Sequence, residues 1–96
     1  MRRAEVLEKL ALSKPMLVAR YGVASLALFG SAVRDAARAD SDIDILVSFD
    51  GPATSERYFG VQFFLEDLLG RPIDLVTNKA LRPELRPFIE REAVHV

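Results

Sequence analysis

The sequence contains no cysteine, which excludes disulfide bonds and thiolate metal sites and fits a reducing cytoplasm. It has no excess of basic residues. The 13 lysines and arginines are balanced by 14 aspartates and glutamates, so the positive surface of a general nucleic-acid binder is absent. No apolar run approaches the length of a membrane span, and Glu5 and Glu8 interrupt any signal-peptide core. We therefore expect a cytoplasmic protein with neither a membrane segment nor direct nucleic-acid binding.

Repeats, low-complexity stretches and linkers are also missing, so the 96 residues predict one complete domain spanning 1–96. Half of the residues are hydrophobic and 28% are charged, as in ordinary globular proteins. A chain of this size buries somewhat over roughly 60% of its unfolded surface, which gives a real but thin core. We expect such a domain to assemble with itself or with a partner protein.

Hydrophobic periodicity, together with the turn and capping residues, predicts alternating helices and strands. The predicted helices are residues 3–11, a second helix capped by Ser13 and ending before Gly22, residues 32–38 and residues 56–69. Two short helical pieces are expected within 80–92, because Pro83 and Pro87 cannot both lie inside one regular helix. The predicted strands are residues 24–29, 43–49, 73–77 and 93–96. This order predicts an α/β (α+β) domain in which helices flank a small mixed sheet.

A Gly-Ser pair stands at the junction between the first predicted strand and the helix that follows. Gly30 allows a sharp turn and the close approach of a ligand. The first turn of a helix presents unpaired N–H groups that suit phosphate, and Ser31 adds a hydroxyl donor. This junction is therefore a candidate phosphate-binding turn.

Two aspartates follow ten residues later, at alternate positions. Asp42 and Asp44 project from the same face of the second strand, a few ångströms apart. Two like charges at about 4 Å repel by roughly 4 kcal/mol at an effective dielectric of 20, and a divalent cation relieves this repulsion. Asp74, in another strand, can supply a third carboxylate. Three carboxylates around magnesium suit in-line attack at phosphorus, with the third acid helping to deprotonate the attacking hydroxyl.

A purely structural interpretation fits these aspartates unequally well. Asp42 can simply begin its strand as a turn residue. Asp44 and Asp74 lie within apolar strands, where aspartate is depleted and where its charge needs compensation. The strand aspartates therefore favour a metal site more strongly than Asp42 does.

The segment FGSAVRDAARADSDIDILVSF, with its Gly-Ser-x10-Asp-x-Asp spacing, and the later RPIDLVT resemble the minimal nucleotidyltransferases of the DNA polymerase beta-like superfamily. The resemblance covers about residues 24–96. It implies the polymerase beta-like nucleotidyltransferase fold, catalytic and metal-binding roles for Asp42, Asp44 and Asp74, and nucleotide binding by Gly30, Ser31 and Arg34. It further implies Mg²⁺, ATP as substrate and a HEPN-type toxin partner. Members of this family act as antitoxins that adenylylate a tyrosine of the HEPN ribonuclease.

Two other functions remain open at this stage. One is transfer to a small-molecule acceptor, although the chain lacks the extra domain with which such relatives hold their acceptor. The other is a non-catalytic module that neutralises a partner by binding it, which the intact set of three acids disfavours. Asp35 stands where many relatives have glycine, and it adds a negative charge beside Arg34. Arg34 can therefore contact phosphate or pair instead with Asp35 or Asp40.

Several further residues receive an ordinary structural interpretation. His95 is expected on a surface strand, and Lys79 on the surface, although it can reach a nucleotide phosphate. The aromatic residues of the long helix are expected mostly in the core, and any that are exposed would mark a protein interface. The same solvated face is expected for Arg82, Arg86 and Arg91, which can alternatively contact an acidic partner.

Overall fold

The computed structural model describes residues 2–34 and 41–96 of the chain. The prediction of a helix over residues 32–38 falls largely outside this range, as do the suggested pairings of Arg34 with Asp35 and Asp40. Within the described part, residues Gly30–Ala32 form one turn of 3₁₀ helix and the chain then turns through Arg34.

The first helix, α1, runs without interruption over Arg3–Tyr21, so the prediction of two separate helices is wrong. Ser13 is not a cap. Its hydroxyl donates to the carbonyl of Lys9 at 2.9 Å, one turn earlier in the same helix. Pro15 lies inside α1 on the exposed side, where the carbonyl that it cannot bond faces solvent. Gly22 ends the helix in the left-handed conformation, as predicted.

The sheet has four strands within the described residues, in the order β3-β2-β1-β4. Strand β1 is antiparallel to both of its neighbours, whereas β2 and β3 are parallel, so the predicted mixed sheet is confirmed. The predicted bounds are confirmed for β2 and β3 and are close for the two others. The strands are β1 Val23–Phe29, β2 Ile43–Phe49, β3 Ile73–Thr77 and β4 Val94–His95.

The two faces of the sheet are covered differently. One face packs against α1 and against α2, which spans Ser55–Leu69, and this side holds the main core. Alternation along β2 places Ile43, Ile45 and Val47 on this side, as predicted. The other face carries a smaller cluster formed by Ala27, Leu46 and Leu81, with Ile89 and Ala93 packed against it.

Helix α2 holds β3 in place beside β2. Thr54 caps its first turn by accepting from the N–H of Arg57, and Gly70 ends it. The hydroxyl of Tyr58 donates to the carbonyl of Leu75 at 2.5 Å, and the side-chain amide of Gln62 donates to the carbonyl of Ile73 at 3.4 Å. These bonds fix the β3 backbone on both sides of the residue between them, Asp74.

Two aromatic residues of α2 are not in the core. Phe59 and Phe63 are about half exposed and stack with ring centroids 6.1 Å apart, so the expectation that the aromatic residues of this helix lie mostly in the core does not hold for these two. Gly60, beside them, lies against the ring of Tyr21 from α1, and a Cβ at this position would overlap that ring. The glycine therefore permits the close contact between α1 and α2.

The C-terminal segment crosses the second face of the sheet. A 3₁₀ turn at Asn78–Ala80 precedes a helix, α3, at Arg86–Glu92. The predicted break by proline is confirmed in part, because α3 begins only at Arg86 and contains Pro87 in its first turn. None of the helices in the described part of the chain has the length and apolarity that a membrane-spanning helix needs.

Candidate active site

Asp44 and Asp74 are direct neighbours across the parallel pair β2 and β3, in register with each other. Each is the second residue of its strand, so both side chains stand at the same edge and on the same face of the sheet. Neighbouring strands lie about 4.8 Å apart, so the two carboxyl groups are near neighbours. The juxtaposition of these two acids, which the sequence predicted, is therefore present.

The surroundings of Asp44 disfavour its charged form. Burial is the largest cause, followed by the hydrogen bond to Asp74 and by the negative charges of Asp74, Asp42 and Glu92. Together they raise the pKa of Asp44 from 3.8 to about 6. Two carboxyl groups in this arrangement share a proton or require a cation between them, and carboxylate oxygens are ligands that magnesium prefers. The donor set therefore fits a divalent metal.

The Gly-Ser turn lies directly against this acidic pair. Phe29, the last residue of β1, is in register with Asp44, so Gly30 follows immediately beside it. Gly30 has a φ of 76°, and a Cβ built there would overlap the Oδ2 atom of Asp44. Glycine is thus required both for the backbone conformation and for the approach to the carboxylate. Ser31 follows in the same 3₁₀ turn.

Asp42 is less closely integrated than the other two acids. Like Asp74 it is exposed, but it lies one residue before β2 begins, and its charge contributes to the raised pKa of Asp44. Among residues 2–34 and 41–96, no three or more histidine, cysteine, aspartate or glutamate side chains converge as a metal-binding group. The structure thus brings two of the predicted ligands together, and the three-carboxylate site stays a prediction.

Arg34 follows the Gly-Ser turn and pairs with Glu92, a residue that the sequence did not predict to be part of the site. Its backbone N–H donates to the carbonyl of Ser31 at 3.1 Å, and its guanidinium lies 2.6 Å from a carboxylate oxygen of Glu92. Glu92 is the last residue of α3 and is distant from the motif in sequence. In the sequence, the one feature that indicates an inward-facing Glu92 is its position one turn after Ile89, on the apolar side of a short helix.

Other residues singled out in the sequence are not part of the acidic pair or of the Gly-Ser turn. Lys79 borders an open cavity of about 200 Å³ at the far ends of β2 and β3, which shares no lining residue with the acidic pair or the Gly-Ser turn. His95 is exposed on β4, as predicted. Arg86 is half-buried and donates to the side chain of Asn78 at 2.8 Å, so it does not share one solvated face with Arg82 and Arg91.

Comparison with known proteins places this geometry in a family. Residues 13–96 match the nucleotidyltransferase domain family. The protein adenylyltransferase MntA of Thermococcus cleftensis is 37% identical over 92 residues, which cover 96% of this chain and 93% of that protein.

Solved structures agree on the fold. A structure described as that of a candidate minimal nucleotidyltransferase superposes with a TM-score of 0.82 at 37% identity, covering 98% of this chain and 95% of the other. A second structure contains a tri-AMPylated Shewanella oneidensis HEPN toxin in complex with an MNT antitoxin. The matching chain there is 18% identical, with a TM-score of 0.59, and the match covers 97% of this chain and 66% of that one. At this identity the likeness concerns the fold alone.

Proposed function

Because the chain belongs to the nucleotidyltransferase family and is an enzyme of that kind, we propose that it transfers AMP from Mg-ATP to a protein hydroxyl. The register of Asp44 with Asp74, directly beside Gly30, is the observation that carries this proposal. The acceptor is a tyrosine of a HEPN-type toxin, and the modification makes this chain the antitoxin. The naming of the Thermococcus relative and the HEPN complex of the Shewanella structure support this choice.

The proposed roles of the site residues follow from their positions. The turn at Gly30 and Ser31 binds the β- and γ-phosphates, and Arg34 reaches the same phosphates from the end of that turn. Asp42, Asp44 and Asp74 hold magnesium. When bound there, magnesium would neutralise the carboxylates and stabilise negative charge on the phosphate oxygens.

The bond changes are those of an in-line displacement at the α-phosphorus. The acceptor oxygen forms a bond to this phosphorus, and the bond from phosphorus to the α–β bridging oxygen breaks. A carboxylate oxygen of Asp74 accepts the proton from the acceptor hydroxyl. Pyrophosphate carries away the electron pair of the broken bond, and AMP remains on the acceptor.

A protein acceptor is favoured over a small molecule by the surface of α2. Phe59 and Phe63 form an exposed, stacked aromatic pair, with Glu56 and Asp67 one turn away on either side. Exposed aromatic patches with polar rims are typical of protein interfaces. Their exposure supports assembly with a partner protein, in line with the expectation that exposed aromatic residues on this helix mark a protein interface.

The direct test is to incubate the protein with ATP, magnesium and the product of the adjacent gene as candidate acceptor, and to measure both intact masses. One or more AMP units on the neighbour, absent with Asp44→Asn, would support the proposal. A stable complex without added mass would favour a module that acts by binding alone. Absence of both mass and complex would direct the search to small-molecule acceptors.

A further inference from the structure

An ion pair joins Arg34, at the end of the Gly-Ser turn, to Glu92, the last residue of α3. Arg34 Nη1 lies 2.6 Å from Glu92 Oε1, and the two side chains are 58% and 34% exposed. They are 58 residues apart in sequence. The fold therefore brings this carboxylate to the guanidinium from a different element, and no local feature of the chain requires the contact.

The direction of Glu92 follows from the packing of α3. Ile89 packs against the cluster formed by Ala27, Leu46 and Leu81 on the second face of the sheet. Glu92 lies three residues later on the same side of the helix, so its side chain also points towards this face. Asp44 stands on that face, and the charge of Glu92 is among those that raise its pKa.

Arg34 can serve both Glu92 and a second anion. The backbone of Arg34 is tied to Ser31 in the turn that touches Asp44, which places the start of the side chain beside the site. Glu92 engages one terminal nitrogen of a guanidinium that has five N–H donors in a rigid plane. An oriented guanidinium with remaining donors binds phosphate oxygens well.

We propose that Glu92 is a positioning residue, which holds Arg34 at the rim of the Asp44–Asp74 site so that its guanidinium meets the phosphates of the incoming nucleotide. The ligand is a nucleoside triphosphate, so this inference rests on the proposed function. Glu92 acts through Arg34 and not by contact with the reacting atoms.

The sign of the mutational effect separates this role from simple electrostatics. Removing a negative charge near a phosphate site would by itself tighten the binding of a polyphosphate. Releasing Arg34 from its partner instead leaves a long side chain to be ordered during binding, which weakens it. Glu92→Gln removes the charge with little change of size and therefore compares the two effects directly.

The experiment measures Mg-ATP binding by calorimetry without any acceptor, so that catalysis is not involved. The proteins are the wild type, Arg34→Gln, Glu92→Gln and the double variant, with Glu90→Gln as control. Glu90 lies on the same helix and pairs instead with Arg86 at 3.4 Å. Thermal unfolding of each variant verifies folding. Should Glu92→Gln fail to fold, Glu92→Asp keeps the charge but shortens its reach, and the expected weakening is then smaller.

We expect Glu92→Gln to weaken Mg-ATP binding by about fivefold, the upper range for one partly exposed charge pair. Glu90→Gln should bind as the wild type does. The double variant should bind no more weakly than Arg34→Gln, because Glu92 acts only through that residue. Unchanged or tighter binding by Glu92→Gln, or additive losses in the double variant, would overturn the inference while leaving the proposed function intact. A wild type that does not bind Mg-ATP would overturn both.

Discussion

Asp44 and Asp74 face each other in register across the two parallel strands of the sheet, each as the second residue of its strand. Asp44 is half-buried and Asp74 is exposed, and two acids so close together are unfavourable unless a proton or a cation lies between them. Folding therefore holds the pair in an arrangement that a divalent cation relieves. The pair therefore lowers the stability of the chain at neutral pH, and the consequences can be measured.

The first consequence is a pH dependence of stability. The pKa of Asp44 is about 6 in the folded chain, above its ordinary 3.8. The folded state therefore binds the proton more tightly than the unfolded state does, and this group lowers stability as pH rises from about 4 to 6. We expect Asp44→Asn to raise the free energy of unfolding at pH 7 by about 1 kcal/mol, a value discounted for solvent screening. The gain should vanish below about pH 4. Denaturant titrations at both pH values check this, and an equal gain at both would contradict it.

Metal binding should have the opposite effect on the wild type. A cation that binds only the folded state raises the free energy of unfolding, and at concentrations well above Kd this increase grows with the logarithm of the ratio of cation concentration to Kd. We therefore expect millimolar magnesium to raise the melting temperature at pH 7.5, and EDTA to reverse the rise. Asp44→Asn and Asp74→Asn should lose this response, whereas Asp67→Asn, an exposed acid on α2, should keep it. A rise of equal size in all four proteins would indicate a general salt effect.

Gly30 provides a test of the contact between the turn and the acidic pair. Alanine there is strained by the φ of 76° and also collides with Asp44, whereas alanine at Gly70 meets only the strain, at a φ of 65°. Strain alone should lower stability by about 1–2 kcal/mol in both variants. We expect Gly30→Ala to lose more stability than Gly70→Ala and to lose magnesium-dependent transfer as well. Equal losses of stability, with full transfer by Gly30→Ala, would contradict the close approach.

Gly60 provides a test of the contact between the two long helices. Glycine to alanine within a helix ordinarily stabilises by about 1 kcal/mol. Here the added Cβ would overlap the ring of Tyr21, so we expect Gly60→Ala to destabilise the protein. In a Tyr21→Ala background, the same change should become stabilising. Chemical denaturation of the four proteins measures this reversal, and a stabilising effect in the wild-type background would show that the contact is not tight.

Most of the sheet could be predicted from sequence because its signals are local. Alternating apolar residues define β2, and turn residues at Gly70 and Pro72 precede β3. The helices were harder. Pro15 and Ser13 favoured a break in α1. An exposed proline, however, leaves the carbonyl four residues earlier to bond with water, and a serine hydroxyl can donate to a carbonyl of its own helix. Packing against the core then keeps the helix continuous.

The residues of the candidate site could also be predicted only in part. The Gly-Ser pair and the strand aspartates could be found because their spacing in sequence maps directly onto adjacent strands. Glu92 could not, because only the return of α3 over the sheet brings it to Arg34. Phe59 and Phe63 were misplaced for a related reason: the apolar surface of α2 extends around more of the helix than the sheet covers.

The most direct test of nucleotidyl transfer uses ATP labelled with radioactive phosphorus at either the α- or the γ-position, with magnesium and the product of the adjacent gene as candidate acceptor. The account predicts covalent label on the acceptor from α-labelled ATP only, with loss of this label in Asp44→Asn and Asp74→Asn. Label from γ-labelled ATP would indicate phosphoryl transfer and contradict the account. Undiminished α-label with both variants would show that the Asp44–Asp74 pair is not the catalytic centre.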